Sequence, residues 1–331
     1  VYSQIIADLT YAEANLPTTV ALAEQGRATS GAAKGLLAKT YLYQENWTAA
    51  KNKCEEIMGS GNYSLVSDYS NIFSSSQQWG SEVIWSLHMV EDLDGHWGEH
   101  EGSWLSIWFG DRDMGWGYGF KCPTEDFVQA FEPNDDRLEA SVVFDGEMIP
   151  GTFGGAPHNF TGGSWNPPTG YMSQKYLIPD NERPITADCN GNLDYIFMRY
   201  AEVLLMHAEA SMEIGDEAAA RSSLALIRQR AGLSDYPDAA TINSYKEKSL
   251  LGHNDLKAVV YHERRVELGL EHDRFYDLVR WGDASTVFQN FDHFGQTFGK
   301  TNFVTECSEL LPIPYYDIQS SNDLITQNPC Y

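Results

Sequence analysis

The sequence predicts an all-α fold: a tetratricopeptide-like helical repeat scaffold (an α/α superhelix) carrying a large loop-rich, Trp/Gly-rich insertion. Two observations predict it. A pair of helical periodicities recurs at one fixed offset, and the stretch between the two copies, Ser64 to Asp194, keeps only short periodic pieces such as Phe127 to Phe131.

In the first copy, residues 29 to 60 place Ala33, Leu36, Leu37 and Tyr41 at helical spacing. A break follows at Gln44-Glu45-Asn46, then Trp47, Ala50, Cys54 and Ile57 resume the pattern, with Asn46 as the expected N-cap. In the second, Val203, Met206, Ala208 and Met212 precede Gly215-Asp216, and Ala219, Ala220, Leu224 and Ile227 follow. Ala38 falls on Ala208, Asn46 on Asp216, Ala50 on Ala220 and Ile57 on Ile227, an offset of 208 − 38 = 170. Small residues where paired helices meet let them approach closely, as in repeat units of about 34 residues.

A third helical stretch runs from about Asp255 to Trp281, with a break expected near His272-Asp273. Pro312, Pro314 and Pro329 predict an extended tail from Glu309 to Tyr331, lying along the helices. The expected organisation is therefore a helical repeat part over 1–63, a loop-rich ligand-binding region over 64–194, and a helical repeat part with the tail over 195–331.

At 331 residues with 42% hydrophobic and 21% charged residues, the chain is long enough for a large core. No apolar run approaches the roughly 20 residues that a membrane helix needs. The start at Val1, with no methionine or lipobox, reads as a processed or truncated chain with any export signal or lipid anchor upstream. Five scattered cysteines, with no C-x-x-C pair, indicate neither zinc nor a dense disulfide framework and leave room for one bridge. The net charge of −25 repels polyphosphates, so nucleic acid is an unsuitable partner and neutral ligands are favoured.

Catalytic readings find little purchase. Tyr261-His262-Glu263-Arg264-Arg265-Val266 begins like a zinc-protease helix, but Val266 stands where the second histidine ligand belongs. Glu263, Glu267 and Glu271 recur at i, i+4, i+8 and are read as structural ion pairs, with Arg264, Arg265 and Arg274 as the nearby partners. No nucleophile elbow, P-loop or dinucleotide fingerprint occurs. The string Glu91-Asp92-Leu93-Asp94-Gly95 offers hard oxygen ligands, and calcium is kept as an option there only; its spacing departs from the EF-hand, so a solvated loop is the preferred reading and no cofactor is assigned.

Six of the nine tryptophans, Trp79, Trp85, Trp97, Trp104, Trp108 and Trp116, fall between Gln78 and Gly117. A flat indole covers the apolar C–H face of a sugar ring while neighbouring polar groups bond its hydroxyls. Trp47, Trp85 and Trp281 are expected in the core. Trp97, Trp104, Trp108, Trp116, Tyr118 and Trp165, flanked by Gly, Ser, Asp or Asn, are the stacking candidates, with Asp111 and Arg112 as hydrogen-bonding neighbours.

The chain resembles the SusD/RagB family of Bacteroidetes over essentially its whole length. Gly26-Arg27-Ala28-Thr29 leading into Ala38-Lys39-Thr40-Tyr41 looks like the family's repeat opening, and Ser81-Glu82-Val83-Ile84-Trp85 like the strand after it. More specific are the run from Tyr200 to Ala210, Glu263-Arg264-Arg265-Val266-Glu267-Leu268, and Arg274 to Trp281. The ending, Leu311-Pro312-Ile313-Pro314 with Thr326-Gln327-Asn328-Pro329, is similar to the family's closing motif. The resemblance implies a tetratricopeptide scaffold with a loop-rich ligand face and a lipoprotein anchored at the cell-surface side of the outer membrane. It also implies partnership with a SusC-like TonB-dependent transporter and non-catalytic capture of a glycan, with the lipid anchor and first helices upstream of this chain. A peptide ligand is the second reading, and a polysaccharide-degrading enzyme the third.

Overall fold

The computed structural model describes residues 1–90, 102–110, 112, 117–147, 167–178, 191–290, 303–322 and 324–331, in two compact units, 1–271 and 272–331. The first unit holds helices α1 (Tyr2–Asn15), α2 (Ser30–Tyr43) and α3 (Trp47–Gly59), then strand β1 (Val83–Leu87). Helices α4 (Leu105–Phe109), α5 (Glu125–Val128) and α6 (Arg137–Ser141) follow, with strands β2 (Val142–Val143), β3 (Met172–Ser173) and β4 (Tyr195–Arg199). Helices α7 (Tyr200–Glu213), α8 (Glu217–Arg230), α9 (Ala239–Ser244), α10 (Lys246–Ser249) and α11 (Asp255–Glu267) complete it.

The repeat holds down to single hydrogen bonds. Shifting α2 by 170 residues gives the bounds of α7. Asn46 accepts from the Ala49 N–H at 3.4 Å and Asp216 from Ala219 at 3.2 Å, each satisfying a donor that the start of α3 or α8 leaves open. The preceding helices end alike. The amides of Asn46 and Asp216 reach back to the carbonyls of Tyr41 and Ser211, with Glu45 (φ 56°) and Gly215 (φ 80°) in the left-handed turn this closure requires. Replacing either cap by alanine, Asn46→Ala or Asp216→Ala, is expected to cost about 1 kcal/mol. Urea unfolding followed by circular dichroism checks this, and a loss at one site but not the other would break the equivalence of the two turns.

The helices pack through their smallest residues. Ala38, Ala50 and Ala210 are fully buried beside Leu42, Cys54, Ile57, Val203 and Met206, with Ile84 and Met198 added from the strands. Helix α7 is buried on nearly every side from Ala201 to Ser211, as a helix enclosed by neighbours must be. Strands β1 and β4 pair antiparallel, Val83 opposite Arg199 and Leu87 opposite Tyr195, so the residues following the first helix pair are stitched to those that open the second. The intervening region builds a second core from Tyr69, Ile72, Phe73, Leu105, Phe109, Tyr176, Ile178, Leu193 and Ile196.

Beneath both cores lies a buried ionic network. Arg199, 1% exposed, donates to Glu82 at 2.8 Å, Glu267 at 2.5 Å and Glu271 at 2.7 and 2.8 Å. Arg230 pairs with Glu82 at 3.0 Å and with Glu267; Arg137 with Asp135 at 2.7 Å and Glu263 at 2.8 Å; Arg228 with Glu132 at 2.6 Å and with Glu263. Lys175 donates to Glu271 at 2.9 Å and to the carbonyl of Gly269 at 2.6 Å, and burial lowers its pKa to about 8 against the pull of Glu271. The structural reading of Glu263, Glu267 and Glu271 thus holds, but their partners differ from the expected ones. Glu263 and Glu267 on α11, and Glu271 just beyond it, meet cations arriving from α6, β4 and α8 and Lys175 from the chain after β3, while Arg265 turns to Asp126 instead.

The second unit contains α12 (Arg274–Trp281), α13 (Ala284–Gln289) and α14 (Tyr315–Ser320). The chain between α11 and α12 turns through Leu270 (φ 66°) and His272 (φ 141°), where the break was expected. The tail differs from a simple extended strap, because α14 interrupts it and its ends clasp each other. Gln327 donates to and accepts from the backbone of Ile313 at 2.9 and 2.8 Å, Asn328 donates to the Leu311 carbonyl at 2.7 Å, and a disulfide joins Cys307 to Cys330. The prolines that forbid a long helix leave carbonyls free for these side chains.

Candidate functional site

Helix α4 divides its residues sharply. Leu105 and Phe109, one turn apart, share a face and join the core of the intervening region, while Trp108 points away and is 44% exposed. Trp104, half-buried, stands at the N-cap position and accepts the amide of Trp108 through its carbonyl at 2.9 Å. The chain then returns along the end of the helix: the amides of Tyr118 and Phe120 donate to the carbonyls of Ile107 and Trp108, both at 2.8 Å. Gly119, at φ 67°, makes the close return possible and bonds Gly110 at 2.9 Å.

This return leaves Tyr118 and Phe120 38% and 54% exposed, with their rings 5.9 Å apart and within 17° of parallel. Below them, the Lys121 ammonium lies 4.7 Å from the ring centre of Phe109, a cation–π contact that fixes the segment to the core. Burial pushes its pKa down. Exposed Arg112 donates its Nε–H to the Tyr118 carbonyl at 3.0 Å, and among the described residues no carboxylate pairs with its guanidinium. The result is an exposed aromatic patch of Trp108, Tyr118 and Phe120 with a guanidinium at its side.

Of the residues singled out in the sequence, Trp104, Trp108, Arg112 and Tyr118 are brought together here. Trp97, Asp111, Trp116 and Trp165 lie outside the described residues, as does the acidic string from Glu91 to Gly95. Among the described residues no group of His, Cys, Asp or Glu is placed to hold a metal ion, and no helix is long and apolar enough to cross a membrane. Phe120 escaped the sequence reading, which weighed tryptophans. Its signal was the alternation Gly117-Tyr118-Gly119-Phe120, where glycines leave both rings uncovered. None of the three tryptophans expected in the core is fully enclosed: Trp47, Trp85 and Trp281 are half-buried, Trp47 packed against the first core and Trp85 stacked at 4.7 Å on Phe197, itself 36% exposed.

A helical repeat scaffold thus displays an uncovered aromatic surface on an inserted, loop-rich region. The chain belongs to the SusD family, whose model matches residues 81–331. It is 27% identical to SusD-like protein P25 of Formosa agariphila over 96% of this chain and 62% of that protein. Among solved structures it is similar to a laminarin-binding SusD-like protein (28% identity, TM-score 0.79, covering 100% of this chain and 68% of the other). It is similar also to surface glycan-binding protein A from Bacteroides fluxus (26% identity, TM-score 0.77, covering 100% and 69%). The chain spans about half to two thirds of the length of the curated relatives it matches.

Proposed function

We propose that this chain captures a neutral glycan on the patch of Trp108, Tyr118 and Phe120, without cleaving it, at the outer face of the outer membrane for delivery to a SusC-like TonB-dependent transporter. The observation that carries the reading is the exposure of three aromatic rings on two stretches, α4 and residues 118–120, that backbone hydrogen bonds hold side by side. Exposed rings grouped into one patch mark an interaction surface, as rings exposed singly do not. Indole, phenol and phenyl faces suit the C–H faces of pyranose rings, and Arg112 supplies donors for ring hydroxyls.

Three further facts support the reading. Two relatives are named for laminarin and for surface glycan binding. The net charge of −25 favours an uncharged ligand over a polyanion. The Cys307–Cys330 bridge fits an exported protein in an oxidising compartment. The test is affinity electrophoresis through gels containing neutral and acidic polysaccharides, with product analysis of each mixture. Retardation by a neutral glycan without released sugar is expected, and Trp108→Ala with Phe120→Ala should weaken it at least tenfold, about 1.4 kcal/mol. Retardation unchanged in that variant, release of sugar, or binding of peptides alone would overturn it.

A further inference from the structure

A cleft of about 220 Å³ lies in the first unit, walled by the linker between α1 and α2 and by the chain leading into β1. It shares no lining residue with the Trp108 patch. Trp79 and Trp85 are among its apolar lining residues, and Gln25, Thr29, Asn62 and Tyr63 among its polar ones. The walls are built. Tyr63 sits so tightly on α2 that a Cβ at Gly31 would lie 2.1 Å from its hydroxyl, and that hydroxyl is 3.2 Å from the Thr29 Oγ1. Gly26, at φ 94°, lets the linker close onto the opposite wall, where a Cβ would stand 3.1 Å from His88 and 3.6 Å from Trp79. Trp79 is held edge-on against His88, 4.9 Å between ring centres, and His88 is anchored by Asp194 at 3.1 Å.

We infer that this cleft is a second carbohydrate subsite, taking one uncharged sugar ring of a glycan. Both surfaces that a pyranose needs are present: indoles for its C–H face, and hydroxyl and amide groups that donate and accept for its hydroxyls. Among the described residues, the lining holds one charged side chain, Arg27, which is exposed and paired with Glu24 at 2.6 Å, and no carboxylate. The aromatic surface also continues out of the cleft. Trp85 stacks on Phe197, and Tyr195 meets Phe197 edge-on at 4.9 Å, giving a following sugar unit a surface along the β1–β4 ribbon. The inference rests on the glycan reading of the protein but places the ring on a different surface.

The test is isothermal titration of the whole chain with laminari-, cello-, malto- and mannohexaose. It compares wild type, the patch variant Trp108→Ala/Phe120→Ala, and the cleft variant Trp79→Ala/Asn62→Ala, with exposed Asn62→Ala alone serving if loss of Trp79 disturbs folding. Two classes of site are expected in the wild type. The patch variant should keep one site per chain, and the cleft variants should weaken that class at least tenfold while the other stays unchanged. If the patch variant binds no sugar and the cleft variants titrate like wild type, the second subsite is refuted and the patch reading stands. If wild type binds none of the four, or both variants titrate like wild type, both readings fall.

Discussion

Arg199→Ala is expected to remove about 3–5 kcal/mol of folding stability, read as a lower midpoint in urea or as a chain that no longer folds. One guanidinium serves three carboxylates, Glu82, Glu267 and Glu271, each no more than 4% exposed. Removing it leaves Glu271 to Lys175 and Glu267 to Arg230 and Arg137, with a void and an excess of buried negative charge. Buried pairs are worth little against a well-packed apolar replacement, yet breaking one side is severe because the other stays charged in a medium that cannot solvate it. An Arg199→Ala protein with the midpoint of the wild type would show that the carboxylates find water or protons at no cost, contrary to their enclosure.

The second large effect is acid lability. Burial alone would raise Glu271, but Arg199 and then Lys175 hold it at about 2; Glu267, equally enclosed, is held well below the usual carboxylate range by Arg230, Arg199 and Arg137. Both native pKa values lie below the ordinary value of 4.5, so the unfolded chain takes up protons that the folded chain refuses. The stability they contribute is fully present above about pH 4.5 and is lost as pH falls toward 2, on the order of 3 kcal/mol from Glu271 alone. Urea midpoints between pH 7 and 2.5 should drop steeply below pH 4.5. Glu271→Gln, less stable at neutral pH, should show a shallower drop; an equally steep one would assign the lability to other groups.

The helices were legible because each rests on local information. The offset of 170 residues, the caps Asn46 and Asp216 and the small residues at Ala38 and Ala50 all act within a few turns of chain. The ionic network was not, since Arg199 and Glu271 stand 72 residues apart and the sequence offers nearer arginines that fold elsewhere. The aromatic patch was half legible. Composition pointed to the stretch that carries the exposed rings, but which ring faces outward is decided by the return of the chain at Gly119, so Trp108 and Tyr118 were named and Phe120 was not. Trp85 misled because alternation marks a strand and does not say whether its outer face is covered.

The network has a consequence for how such a protein diversifies. Its charged members, Glu82, Glu132, Asp135, Arg137, Lys175, Arg199, Arg228, Arg230, Glu263, Glu267 and Glu271, all stand outside the stretch from Val83 to Phe131, which carries Trp108, Tyr118 and Phe120. Substitutions at those three rings leave every one of these ion pairs in place, so the exposed surface can change while the folding apparatus stands still. Exchanging Trp108, Tyr118 and Phe120 alone, with Leu105 and Phe109 kept for the core they fill, therefore changes the exposed surface without touching the charges that hold the fold.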